Sequence, residues 1–203
     1  MSLIWGHWIG SILFILIFYV LLGVFGIGKG PLGILVDARN RMSLSRLQTL
    51  GWITIVAATV FAAGWRFRTI DFVFGDQLLV LLGISGGTLG GAQLIKGIKD
   101  QNSTLYRSPD AQKPRLIDIV RGDDIGNADK IDVSKVQLLI FTIVAWIIYA
   151  VLLWNMGGGD IGKICLGEAC RIEFPPINSQ FVTLLGISCA TYGLCKAAMS
   201  PGT

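Results

Sequence analysis

Five stretches free of charge, roughly 8–28, 47–65, 78–95, 136–154 and 179–195, hold most of the apolar residues of this chain, and every Lys, Arg, Asp and Glu lies outside them. About 20 apolar residues in a helix cross the hydrocarbon core of a bilayer, so the pattern predicts transmembrane helices. The fifth stretch is the shortest: Gln180 and Lys196 bracket it, and Lys196 can snorkel while Ala197, Ala198 and Met199 extend the span. The predicted fold is all-α, a polytopic transmembrane bundle of five spans. Composition agrees, since 53% hydrophobic residues, 15% charged residues and a mean hydropathy of +0.65 would leave a soluble domain coated in oil.

The polar punctuation repeats. Ser45-Arg46-Leu47-Gln48 opens the second stretch and Ser134-Lys135-Val136-Gln137 the fourth, and at the same offset Trp65 pairs with Trp154. Gln77 followed by Leu81-Leu82-Gly83-Ile84-Ser85 opens the third, and Gln180 followed by Leu184-Leu185-Gly186-Ile187-Ser188 the fifth. A second constant offset also pairs Thr88 with Thr191 and Gly90 with Gly193, eight identities in seventeen positions. A two-helix unit repeated in tandem starts from the same side, so the copies are expected as parallel repeats about an axis along the membrane normal. The expected segments are an N-terminal helix (1–30), a first repeat (43–99), a cytoplasmic loop (100–131) and a second repeat (132–203) with an inserted outer loop (155–178).

Charge sets the expected orientation, because Lys and Arg resist translocation. Loop 29–46 holds four, loop 96–135 eight, and the last segment Lys196, against Arg66, Arg68, Lys163 and Arg171 on the other side. The N-terminus is therefore expected outside and the C-terminus inside a bacterial-type inner membrane. The net charge of +4 reads as topology, since no basic stripe with interleaved aromatics points to nucleic acid. The first stretch has no cation ahead of it, a long core and no Ala-x-Ala site, so it is expected as a mature span rather than a signal peptide.

Gly83, Gly87 and Gly91 recur every four residues and predict a smooth packing face, with Gly186 and Ala190 as counterparts. Ser85, Thr88, Ser188 and Thr191 are the candidate pore lining, although a helical hydroxyl can equally bond its own turn. Gln48, Gln77, Gln137 and Gln180 are expected as polar helix openings that fix depth, with the neighbouring serines as N-caps. Asp37, Arg39 and Arg41 read as a solvated or headgroup-facing segment. In the inserted loop, Cys165 and Cys170 are a candidate disulfide, with a metal or redox dithiol as the alternative. Cys189 and Cys195 read as small packing residues.

Catalytic chemistry has no foothold in this pattern. The spans carry no ionisable group, and the only histidine, His7, sits between Trp5 and Trp8 in an expected interfacial belt. Phosphate-binding, nucleophile-elbow, zinc-protease and dinucleotide motifs are absent, so no enzyme, no cofactor and no metal site is expected. Loop 96–135 is too short for its own core. Within it Arg115–Arg121 is expected as a short interfacial helix ended by Gly122-Asp123-Asp124. Asp123, Asp124, Asp129 and Asp132 miss the spacing of a calcium loop and read as a solvated or partner-binding turn.

The run from Gly122-Asp123-Asp124 through Ser134-Lys135-Val136-Gln137 to Pro175, Leu184-Leu185-Gly186-Ile187-Ser188, Thr191-Tyr192 and Lys196 resembles a group of uncharacterised bacterial multi-pass membrane proteins. Asp37 to Gln48 is similar to the corresponding segment of related proteins. The likeness departs in the first repeat, where Leu89 stands for the tyrosine and no lysine occupies the matching position. It implies fold and compartment and carries no activity. Two function classes stay open: a homo-oligomeric channel or pore, and an accessory or scaffold subunit that holds a partner through loop 100–131 or 155–178. Secondary transport is a third.

Overall fold

The computed structural model describes residues 2–68, 71–102, 113–123, 129–157, 163–166 and 169–197. Its helices follow the charge-free stretches: α1 (Ser2–Leu21), α2 (Leu44–Phe67), α3 (Asp76–Asn102), α4 (Val133–Gly157) and α5 (Ser179–Ala197). Four of these contain segments long and apolar enough to cross a membrane, Gly6–Gly26, Leu44–Arg66, Asp76–Ile95 and Val133–Asn155. The fifth helix does not reach that standard. It has 19 residues, interrupted by Ser179, Gln180, Ser188 and Lys196.

Helix α2 packs against α3 and α4, and α5 packs against the same two, so the four helices close a ring. Helix α1 lies outside it, against α2. Two polar contacts fasten it there: Trp8 Nε1 donates to Thr59 Oγ1 (3.1 Å) and Thr54 Oγ1 to Tyr19 Oη (3.4 Å). Within the ring, Trp52, Leu78, Leu81, Tyr149 and Leu185 are buried together as an apolar cluster, with the Trp52 and Tyr149 rings edge to face, and Gln48, Ser85, Thr142 and Ser188 are buried on the same four helices. Trp65 and Trp154 are both exposed. His7 lies 6.4 Å from the Trp65 ring, between ring centroids.

The close helix approach sits away from the glycine face. An added Cβ at Gly83, Gly87 or Gly91 would meet no atom within 4 Å, whereas one at Gly51 would fall inside the indole of Trp146. Gly83, Gly87 and Gly91 thus leave room for a side chain, Gly87 and Gly91 bordering a groove beside Ala190 and Gly193 of α5, and it is α2 and α4 that touch through a glycine. A Cβ added at Gly186 would make an ordinary contact of 3.5 Å with Ile84 Cδ1, and Ala190 is exposed. A further close approach joins Gly23 to Gly33, where the chain leaves α1 through the π-turn Leu22–Gly26 and folds back.

The end opposite the cation-rich loops carries a small sheet that the hydropathy pattern does not announce. Strands β1 (Phe72–Val73), β2 (Lys163–Leu166) and β3 (Ala169–Glu173) are ordered β1-β3-β2. The connection between α2 and α3 thus adds a parallel strand to the hairpin of the inserted loop. Phe174 locks the joint by stacking on Phe74 at 4.8 Å and meeting Phe72 edge to face. The register sets Cys165 opposite Cys170 on adjacent antiparallel strands. Their side chains, and with them the expected disulfide, lie outside the described residues.

Candidate functional site

At the cation-rich end, each of α2 and α4 is preceded by the same small device. A 3₁₀ turn (Gly33–Leu35 before α2, Leu116–Ile119 before α4) leads into an isolated antiparallel bridge. The bridges pair Val36 with Met42 and Arg121 with Ile131, and each helix begins two residues later. The cation of the Ser-Arg/Lys-x-Gln motif then reaches back to the first bridge strand. Arg46 Nη1 donates to Val36 O (2.6 Å) and Ile34 O (3.3 Å), and Lys135 Nζ donates to Arg121 O (2.5 Å). A backbone carbonyl out of water needs a donor, and a cation on the first helical turn supplies one from both sides of the repeat.

These two devices lock onto each other. Arg39 Nη1 donates to Asp123 O (3.0 Å) and Arg41 Nη1 to Gly122 O (3.1 Å). The Asp123 carboxylate lies between two lysines, 2.9 Å from Lys135 Nζ and 2.7 Å from Lys196 Nζ, and Lys196 also donates to Tyr192 Oη (2.9 Å). The lysine side chains are 4% and 5% exposed, that of Asp123 20%. Two nearly dry ammonium groups therefore depend on one carboxylate and a set of carbonyls. Val36, Met42, Leu44, Ile119, Leu138 and Tyr192 form the apolar floor beneath.

This geometry revises four expectations. Asp37 and Arg39 are buried, at 8% and 3% exposure, and do not form a solvated segment. Asp37 Oδ1 accepts the N–H groups of Arg39 and Arg41, which shapes the loop, with Asn40 in the left-handed region at φ 58°. Ser45 and Ser134 are not N-caps, because the helices start one residue earlier. Asp132 takes that role at α4, accepting both the N–H and Oγ–H of Ser134, and Ser43 precedes α2 without a side-chain cap. Asp123 does not stand solvated in the acidic turn, since it pairs with Lys135 and Lys196, and Asp132 caps α4. Asp124 lies outside the described residues. The expected interfacial helix shortens to the 3₁₀ turn, with Asp118 accepting the Arg115 N–H (2.9 Å).

The candidate pore residues do not share an exposed face. Ser85 and Ser188 are buried at 2% and 1%, and their hydroxyls make no hydrogen bond among the described residues. Thr88 and Thr191 are half-buried and bond back to Ile84 O (2.7 Å) and Ile187 O (2.9 Å). The glutamines separate as well. Gln48 is buried, with Nε2 3.6 Å from Cys189 Sγ, while Gln77 is half-buried and Gln137 and Gln180 are exposed. Cys189 is buried and Cys195 exposed, both as free thiols.

Residues Asp37, Arg39 and Arg41 and the carbonyls of 121–123 are the parts that sequence reasoning missed as a site. One signal was there: two short charged segments each stand just ahead of a Ser-Arg/Lys-x-Gln motif. A scan of family models and searches of curated proteins and solved structures return no match to this chain.

Proposed function

We propose that this protein is a non-enzymatic integral membrane subunit, a scaffold that presents a rigid cytoplasmic face to a partner. The observation that carries the reading is the interlocked pair of pre-helical loops. Arg39 and Arg41 from one repeat grip the backbone of the other, and Asp123 ties α4 to α5 through two buried lysines. A loop held this firmly at its return to the membrane offers a partner a surface whose ordering cost is already met. The ring contacts of α2 to α5, the matching 3₁₀ turns and the matching bridges support the parallel two-repeat reading. On that reading α5 spans with the others. At about 1.5 Å per residue its length approaches the hydrocarbon thickness. The cation-rich end then faces the cytoplasm of a bacterial-type inner membrane, by the distribution of Lys and Arg.

A homo-oligomeric pore is the second reading, and one observation favours it. Gly83, Gly86, Gly87 and Gly90 on α3 are open to the outside of the protomer, the surface type through which membrane helices associate. The two readings separate in one experiment: purified protein is sized in detergent, then recorded in a planar bilayer as wild type, Thr88→Leu and Thr191→Leu. A silent bilayer, with recovery of a partner that is lost in an Arg39→Ala/Arg41→Ala variant, supports the scaffold. Discrete currents altered by the threonine changes refute it and establish the pore.

A further inference from the structure

The two repeats differ at one place in a way that points to a ligand. In the second repeat, the first-turn cation Lys135 and the α5 residue Lys196 enclose the Asp123 carboxylate, with Tyr192 beside them. By the offsets that align the repeats, the first-repeat counterparts of Lys135, Tyr192 and Lys196 are Arg46, Leu89 and Gln93. Those three residues line an open cavity of about 330 Å³ together with Arg39, Ser43 and Ser45. The place where the second repeat inserts its own carboxylate is thus a cavity in the first.

We propose that this cavity binds the phosphate of an anionic ligand, either a phospholipid headgroup of the adjoining leaflet or a free phosphate. The charge balance allows it. Arg46 commits only Nη1, to Ile34 O and Val36 O, and its Nε–H and Nη2 donors have no partner among the described residues. A guanidinium edge of that kind binds phosphate through two parallel bonds. Ser43 and Ser45 bring hydroxyls that face one another at 3.2 Å, and Gln93 an exposed amide. Asp37 also borders the cavity, with its Oδ1 accepting two backbone N–H groups, and since Arg39 is engaged with Asp123 O, Arg46 is the cation that the ligand would meet. The N-terminus of α2 adds to the attraction, since no side chain caps it.

Depth fits a headgroup. The apolar span of α2 starts at Leu44 and that of α3 ends at Ile95, so Ser43 to Arg46 and Leu89 to Gly97 meet at the boundary between hydrocarbon and water. Basic pockets between helices at that level take anionic headgroups.

Gln93 is the residue to change, because it is exposed and holds no described contact. The experiment titrates delipidated full-length protein with phosphatidylglycerol or inorganic phosphate and counts bound ligand by native mass spectrometry. Wild type, Gln93→Glu, Gln93→Lys and the surface control Lys130→Glu are compared, with thermal unfolding confirming the fold of each. One saturable phosphatidylglycerol is expected, about fivefold weaker in Gln93→Glu and about fivefold tighter in Gln93→Lys, from roughly 1 kcal/mol per charge near a membrane surface. Lys130→Glu is expected to bind as wild type does. Saturable inorganic phosphate with the same response to Gln93, and no retained lipid, assigns the free anion as the ligand. The proposal is overturned if Gln93→Glu binds like wild type, or if Lys130→Glu weakens binding equally, which marks a diffuse attraction to the basic face.

Discussion

Gly51→Ala is expected to weaken the bundle through a single methyl group. At Gly51 an ideal Cβ lies 2.5 Å from Cε2 and Cη2 of Trp146, and closer still to Cζ2. Ordinary contact begins near 3.4 Å, so the indole has to retreat by about 1.4 Å or move the helices apart. The ring is a rigid bicycle wedged between α2 and α4, with a buried Nε1 that has no hydrogen bond among the described residues. Overpacking of this kind costs about 1–3 kcal/mol, which exceeds the 0.5–1 kcal/mol or so that replacing a helical glycine by alanine returns. Unfolding in detergent micelles, followed by circular dichroism against added denaturant, measures the difference. Trp146→Phe in the same background removes the obstructing ring, so the double variant is expected to recover part of the loss, with a coupling of about 1 kcal/mol or more. Gly87→Ala is the matched control, because its Cβ meets nothing within 4 Å. A Gly51→Ala protein as stable as wild type, or no coupling to Trp146→Phe, refutes the contact between α2 and α4.

The cation-rich end gives two further tests by the same unfolding assay. Asp123→Asn leaves Lys135 and Lys196 buried without a counter-ion and is expected to cost about 3 kcal/mol, with Lys196→Met in the Asp123→Asn background restoring part of it. Arg46→Gln removes the donor to Ile34 O and Val36 O and is expected to cost about 1.5–3 kcal/mol, while Arg46→Lys recovers most of that because Lys135 performs the same task in the other repeat. At the opposite end, the register of Cys165 against Cys170 supports a disulfide; maleimide labelling of denatured protein is expected to rise from two thiols to four on reduction, and four thiols before reduction would exclude the bond.

The helices were legible because a charge-free run of eighteen or so residues has few other uses, and the five helices fall where those runs lie, four of them long and apolar enough to cross a membrane. The repeat motif was legible as a motif, but its task was not. Arg46 reaches carbonyls ten and twelve residues back and Lys135 one fourteen back, so the aligned register breaks just upstream of Ser45 and Ser134. The burial of Asp37 and Arg39 was hidden for a related reason. Arg39 finds its acceptor on the backbone of a distant loop and Asp37 its donors on the backbone of its own turn, whereas a charge beside an apolar helix ordinarily stays in water. Gly51 carries no pattern that marks it, whereas the regular spacing of Gly83, Gly87 and Gly91 is visible and leaves room at each position for a side chain. The sheet escaped because β1 is two residues long and finds its partner a hundred residues on.

The asymmetry between the repeats follows from the cost of burying charge. Lys196 adds a second ammonium group next to Lys135, and at 5% exposure it is stable there only with an acid within reach. The loop between the bridge partners supplies one: residues 122–130 separate Arg121 from Ile131, where only 37–41 separate Val36 from Met42. In the shorter loop Asp37 is consumed by the amides of Arg39 and Arg41, which hold the turn that aims both arginines at the other repeat. It is not available to bridge two cations as Asp123 does, and Gln93, being neutral, makes no such demand. A longer loop that brings in a carboxylate and a lysine on the neighbouring helix therefore belong together, and so do a short loop and a glutamine. The first pair closes its repeat with a salt bridge, and the second leaves Arg46 with donors to spare.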